Sequence, residues 1–437
     1  GTNRDFPHTL YYDEPGNIYL LGSFSYKIVL GSDTLLSNST SGLFLSKISP
    51  NGDITWSIGL DNAVYPLNNI TTDQQGNVYL AASVYCNQGD TVTVDNQQFT
   101  GRGKDDIYVL KINSNGTIEW IRQEGGKQND YIYGITTDDA GYVYTTGTFT
   151  DTAQFDTTSL YGYANGSKVF ICKYDSYGNL KLIKSPPVAG WTSDIKVSSE
   201  GSIYTCGQLL SNTILNNDTL NFKEGSAILI KYDSAGNIAW ARNYLGQSSA
   251  EALNIALVGD GVFMNIAYDK ASLVKYDSNG NVAWTNEYGP HSTVPDIVGL
   301  SEDHNNGILV TGYFGKDNAI YGEDTLSLPS PVSNTQIYPF LASVGAYPAN
   351  IQEHSNKNSN ITLYPHPNNG HFIISGIQLA EYSSYEIINS LGTIVCNGDL
   401  QNLNNIAEID TKNIPSGMYI LNLYSGQHAY PIQFLVR

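Results

Sequence analysis

The side chains that could do chemistry are few and scattered. Seven histidines stand at His8, His291, His304, His354, His366, His371 and His428, and no H-E-x-x-H spacing sets two of them on one helix face for a metal. No G-x-S-x-G elbow and no phosphate-cradling Walker loop occurs. Paired carboxylates, the combination that general acid–base work uses, stand at Asp105-Asp106 and Asp138-Asp139, but both pairs fall inside recurring turn or strand patterns. A turn role is the plainer reading. The cysteines Cys86, Cys172, Cys206 and Cys396 show no C-x-x-C spacing, so neither a zinc knuckle nor a redox pair is indicated. Cys172 and Cys206 are the nearest couple, yet buried free thiols suit the strands of a large β protein better. Asp-rich turns raise calcium, since hard cations take several oxygens from a tight loop. None of these turns has the D-x-[DN]-x-[DN]-G spacing with a closing Glu, so no cofactor is the main expectation and calcium the minor alternative. The sequence assigns no catalytic, cofactor-binding or metal-ligating residue.

The elements that would position any site are strands. At 437 residues the chain exceeds one ordinary core, so two domains are expected unless repeats carry part of it. Only 14% of residues are charged, while 32 Tyr and 42 Gly favour strands joined by tight turns over helices. The formal net charge of −19 repels phosphate backbones and anionic lipid, which argues against nucleic acid and membrane surfaces as partners. No run of eighteen apolar residues exists to span a membrane as a helix. The opening Gly1-Thr-Asn-Arg-Asp5 is expected to follow a signal peptide already removed.

An internal period near 60 residues dominates positions 1–345. One motif is a polar turn, Gly, then an apolar-Tyr strand, as in Asp13-Glu-Pro-Gly16-Asn-Ile-Tyr19, Asp73-Gln-Gln-Gly76-Asn-Val-Tyr79 and Asp138-Asp-Ala-Gly141-Tyr-Val-Tyr144. It returns around Gly201, and more weakly around Gly261 and Gly307. A second motif follows about thirty residues later and runs from Lys through a Gly turn to Trp: Lys47…Gly52…Trp56, Lys111…Gly116…Trp120, Lys231…Gly236…Trp240 and Lys275…Gly280…Trp284. The third copy, Lys173…Gly178…Leu182, ends in Leu, and the sixth is degenerate near Phe340–Gly345. In each motif Asp or Asn caps the turn and Gly takes the left-handed backbone. Two hairpins per unit make four strands, and four-stranded units repeated radially make a β-propeller. Trp56, Trp120, Trp240 and Trp284 are expected to dock successive blades. Between the second and third strands lie variable excursions containing Asp-Thr-apolar triplets at Asp33, Asp90, Asp151, Asp218 and Asp324.

These units resemble a bacterial β-propeller repeat family whose copies read roughly Asp-x-x-Gly-Asn-Val-Tyr, then Lys-Tyr-Asp-x-x-Gly-Asn-x-x-Trp. The family implies seven blades, whereas six units are counted here; six is the expectation and seven the alternative. Ring closure stays open, because the sixth unit lacks a good fourth strand.

Residues 361–437 are a separate small β module. Pro365 and Pro367 remove two backbone donors and suit an edge, and short alternating runs between Gly turns suit a small immunoglobulin-like sandwich. Tyr364-Pro365-x-Pro367-x-x-Gly370, the hairpin turn from Asn389 to Gly392, the segment Gly417-Met-Tyr419 and the terminal Arg437 follow in order. That order resembles the C-terminal sorting domain of proteins exported by the type IX secretion system of Bacteroidetes, with His366 where the family has Asn. The resemblance implies a secreted or outer-membrane-anchored protein on the cell surface, with the type IX translocon and surface-attachment machinery as partners. It also implies O-glycosylation at Asp-Thr-apolar triplets, although a strand after an Asp-capped turn explains those triplets more simply.

The expected organisation is a propeller over 1–345, a linker over 346–360 and the sorting sandwich over 361–437. The propeller is expected to bind glycan or protein through one rim or its central channel. The alternative is a polysaccharide-active enzyme with carboxylates converging in that channel.

Overall fold

A hairpin with Asp at its start and Gly at its tip closes only if the Asp carboxylate takes up the turn's free N–H groups. The computed structural model shows this repeatedly. It describes residues 5–345 and 361–436 less short segments, of which 289–295, 327–337 and 365–370 are the longest. Asp73 Oδ1 accepts from the Gln75 and Asn77 backbone N–H groups at 3.0 and 2.9 Å, and Oδ2 accepts from Asn77 Nδ2 and the buried Tyr79 hydroxyl at 2.8 and 2.9 Å. Asp13 and Asp138 hold their turns and Tyr19 and Tyr144 in the same way. Gly76 and Gly141 take φ of 74° and 78°, where a Cβ would strain the backbone. The fifth unit differs from the motif reading. There Gly259, not Gly261, takes positive φ, because Val258 pairs directly with Gly261 across a shorter turn.

The chain forms two compact units, Gly1–Gly345 and Ala346–Arg437; the span 346–360 lies outside the described residues. In the first unit the strands make consecutive antiparallel meanders. The third sheet is the plainest, with Tyr131–Thr137, Val143–Thr150, Ser167–Tyr174 and Leu180–Lys184 side by side in chain order. The first sheet begins at Phe6–Tyr12, the fourth at Gly190–Val197 and the fifth at Glu251–Val258, each with four such strands. The second opens on two short pieces, Ala63–Val64 and Ile70–Thr72. The sixth, from Asp296–Glu302, has three strands among the described residues. This is a β-propeller, and its meander order follows from hairpins too short to cross a sheet.

The excursions prove to be extra hairpins. Those of the second and third sheets pair with the last strand of the preceding sheet, through Val94↔Leu60 and through Gly125↔Gln154 and Gly126↔Ala153. The Asp-Thr-apolar triplets lie on or at these hairpins, with Thr34, Thr91, Thr152 and Thr219 exposed.

Cores form between sheets rather than within them. Tyr79, Val109 and Trp120 of the second sheet pack with Ile135, Val143 and Phe170 of the third, all buried. At the outer end of this core the Trp120 indole N–H donates to the Ser176 carbonyl in the next sheet's turn at 3.0 Å. Lys111, opposite Trp120 in register, donates to the same carbonyl and lies over the Tyr79 ring. Trp56 and Trp240 repeat the geometry on Ser114 and Ser278. The turn glycine of the receiving sheet lies flat on the indole: a Cβ on Gly178 would stand 2.8 Å from Trp120 Cδ2. Trp284 packs edge-on to Phe263 at 5.6 Å.

The second unit has two sheets. Thr362–Tyr364, His371–Ser375 and Ile406–Asp410 form one, and Ile394–Asp399, Ser384–Asn389, Gly417–Ser425 and His428–Val436 the other. Alternating residues such as Phe372, Ile374, Ile387, Ile409, Leu421 and Leu423 are buried in a shared core.

Trp120→Ala removes the indole and its hydrogen bond from an 8% exposed position. The expected cost is about 3–5 kcal/mol, read as a lower unfolding midpoint in urea. An unchanged midpoint would show that the groove does not depend on the indole.

Candidate functional site in the central channel

The innermost strands of five of the six described sheets carry a bulge, and the bulges share one place. Register shifts fall between Pro7 and Thr9, Ile132 and Gly134, Thr192 and Asp194, Ala252 and Asn254, and Ile297 and Gly299. A bulge re-aims the side chains that follow it. The residues after these bulges, together with Ile70 and Thr71, line one cavity of about 760 Å³ reached by the innermost strand of each of the six described sheets. This is the propeller's central channel.

Its polar wall comes from the fourth and fifth sheets. Asp194, 4% exposed, has both oxygens engaged. Oδ1 accepts from Ile195 N at 2.8 Å and Lys196 Nζ at 2.9 Å; Oδ2 accepts from Lys196 Nζ and from Ile255 N of the next sheet at 3.1 Å each. Asn254 holds the same place one sheet on. It is 6% exposed, and its Oδ1 has no hydrogen-bond partner among the described residues. Tyr11, Tyr12, Thr71 and Thr136 also belong to the lining, with the Tyr11 ring packed on Tyr19, and Glu302 is a second lining carboxylate among the described residues. The arrangement sets a buried acceptor without a partner among the described residues beside a mixed polar and apolar lining. Asp194, saturated by donors, is poorly placed to shuttle protons.

None of these residues stands out in the sequence read as turn motifs. A signal existed: aligning the innermost strands on Ile135, Ile195 and Ile255 puts Gly134, Asp194 and Asn254 in one column. The paired carboxylates that do stand out lie elsewhere. Asp105 and Asp106 open the third strand of the second sheet and are buried beside Glu124 and Asp130. Asp106 Oδ2 accepts from Arg102 N and Gln123 Nε2, while its Oδ1 has no partner among the described residues. Glu124 accepts from Asp156 N at 2.8 Å and the Tyr174 hydroxyl at 3.4 Å, both in the third sheet's unit. Burial pushes Glu124 up to about 7 against the pull of Asp156 N–H and Arg102. Burial, reinforced by the Asp106 and Asp105 charges, pushes Asp130 up to about 7. Asp138 of the other pair is a turn acceptor.

The turn aspartates that suggested calcium already accept several N–H and O–H donors, which a cation would have to displace. Among the described residues no group of three His, Cys, Asp or Glu is arranged to hold a metal. All four cysteines are free, Cys86, Cys172 and Cys206 being buried.

Of the sorting-motif residues, Tyr364 ends a strand, Gly417 starts one, and Asn389 Oδ1 accepts from Thr393 N at 3.0 Å to close its turn. Tyr419 is buried and donates to the Pro415 carbonyl at 2.7 Å. Pro365, Pro367, Gly370, Gly392 and Arg437 lie outside the described residues.

Comparison with known families finds the secretion system C-terminal sorting domain over residues 362–437 and the β-propeller repeat over residues 119–148. The chain therefore carries propeller repeats and a type IX sorting domain, which directs it to the cell surface or extracellular space. Solved structures of similar shape include PorZ, an essential surface component of the type IX secretion system of Porphyromonas gingivalis. It is 12% identical with a TM-score of 0.34, over 98% of this chain and 74% of that one. A streptogramin B lyase is 11% identical with a TM-score of 0.39, over 78% and 83%. A protein of unknown function from Bacteroides caccae is 12% identical with a TM-score of 0.34, over 65% and 82%. At these values the likenesses carry no argument about activity. No curated protein matches the chain.

Glu124 binds its proton more tightly folded than unfolded, so its contribution to stability is full below about 4.5, declines as pH rises, and is lost above about 7. Glu124→Gln cannot ionise. Its unfolding temperature relative to the parent is expected to rise between pH 5 and pH 8, by roughly 2–4 °C per kcal/mol relieved. Parallel melting curves across that range would refute the assignment.

Proposed function

We propose that this exported β-propeller protein is a cell-surface binding module that takes a glycan into its central channel. The observation that carries the reading is Asn254: a buried amide oxygen without a partner among the described residues, in a channel whose lining includes Tyr11 and Tyr12. A buried acceptor left unpaired is costly, and a ligand hydroxyl would satisfy it. Aromatic rings stack on the apolar faces of sugars, and threonine hydroxyls complete the polar lining.

The enzymatic reading is weaker here. Glycoside hydrolysis uses two carboxyl groups, one able to give up a proton and one to act as base or nucleophile. Among the described residues two carboxylates line the channel, and Asp194 is saturated by Lys196 and two backbone N–H groups, which leaves Glu302. The same reading takes Trp56, Trp120, Trp240 and Trp284 as blade-docking residues and Tyr364, Pro365, Pro367, Gly370, Asn389, Gly392, Gly417, Tyr419 and Arg437 as the export motif. The sorting domain brings the protein to the type IX machinery.

Titration of the full chain with a panel of neutral oligosaccharides tests the channel. Asn254→Ala and Tyr11→Ala are each expected to weaken binding about tenfold, the scale of one lost hydrogen bond or ring contact. Binding that survives both substitutions would place the ligand outside the channel.

A further inference from the structure

The cores between sheets follow a pairing rule. An isoleucine on the innermost strand of one sheet shares a core with an aliphatic residue on the third strand of the sheet before it. Ile70 does so with Leu45, Ile135 with Val109, Ile195 with Ile171 and Ile255 with Leu229, and all are buried. Strand register finds the same two places at the ends of the series. Leu10 follows the first sheet's bulge as Ile135 follows the third's. Leu341 pairs with Thr311, and Thr311 with Gly299 at the sixth sheet's bulge, just as Ile171 pairs with Thr146 and Thr146 with Gly134. Yet Leu10 and Leu341 are each 68% exposed. Ile18 departs in the same way: it is exposed, while its counterparts Val78, Val143 and Ile203 are buried in the cores with the preceding sheets.

The exposed leucines are therefore the two halves of one core, Leu341 on the last sheet and Leu10 on the first. Both halves border the same space, because residues 9–12 and 299–302 line one channel cavity. Each half is also tethered to the other through the intervening sheets, which favours their meeting over capture of a separate molecule. Among the described residues the first and sixth sheets share no strand. Side-chain packing is then what joins them, and packing without a shared hydrogen-bonded strand can come apart again.

We propose that the seam between the sixth and first sheets is a clasp, open in this structure, that closes by packing Leu10 and Ile18 on Leu341. Closed, it repeats the core that Ile135 makes with Val109, and apolar surface leaves water. Open, it gives the channel a side entrance, by which a long chain can enter without being threaded from one end. The clasp is a property of the ring and does not depend on the glycan reading.

Cross-linking of the full chain tests it. Leu10→Cys and Leu341→Cys are combined in a Cys396→Ser background, since Cys86, Cys172 and Cys206 are buried. Treated with a short bismaleimide at low protein concentration, most chains are expected to carry a bridge within one molecule, located by peptide mapping. Leu10→Cys with Leu36→Cys, an equally exposed site on the first sheet's excursion hairpin, is expected to bridge far more slowly. Leu10→Glu and Leu341→Glu probe the same contact without a reagent. Each is expected to lower the unfolding temperature, and the two together little more than one alone, because they spoil one shared core. A bridge joining two chains, a bridge no faster than the Leu36→Cys control, or unfolding temperatures unmoved by either glutamate would overturn the proposal.

Discussion

A twisted four-stranded sheet has two faces and cannot bury either alone, so every sheet here depends on how the groove to its neighbour is filled. An indole fills it on one side, and a glycine turn receives it on the other. The two are matched as a pair. The glycine is needed twice over, because φ near 80° and the flat indole face both exclude a Cβ. The hydrogen bond from indole to serine carbonyl adds direction to what would otherwise be apolar contact. Lys on the adjacent strand completes the set by capping the same carbonyl and covering a tyrosine face. Because each contact joins neighbours only, one unit can depart from the pattern without unravelling the others. The third unit does so at Leu182.

Much of this was legible in the chain itself. Turn Asp, turn Gly and the strand between them recur at fixed offsets, and local chemistry alone decides such hairpins. The strands Val143–Thr150 and Ser167–Tyr174 fall where the third copy's motifs put them, within a residue or two. The fifth unit departs from the motif at Gly261, because a turn of two residues where the third unit has five moves the left-handed position to Gly259. The channel was not legible. Asp194 and Asn254 belong to innermost strands that carry no turn motif, and their inward direction is set by a bulge, which depends on pairing with the neighbouring strand. Glu124 and Asp130 escaped for a related reason. They sit where one sheet meets the hairpin of the next, a place that repeats only in part.

The two units divide address from activity. The sorting domain directs the chain to the cell surface or extracellular space. In the propeller the inter-sheet contacts lie further out than the channel lining, which differs from sheet to sheet. Glycines at 134 and 299 and polar residues at 194 and 254 show that variation within a single layer. Excess negative charge over the whole chain suits a neutral ligand and an extracellular setting better than an anionic partner.

Whether the channel holds a glycan or cleaves it is the point on which the account turns. The most direct measurement is a polysaccharide screen with the full chain in which retention and newly formed reducing ends are quantified in the same wells. The account predicts retention on at least one polysaccharide with reducing ends at the level of protein-free wells. Reducing ends that accumulate with time and protein concentration would contradict it, and would make Glu302 the first residue to replace.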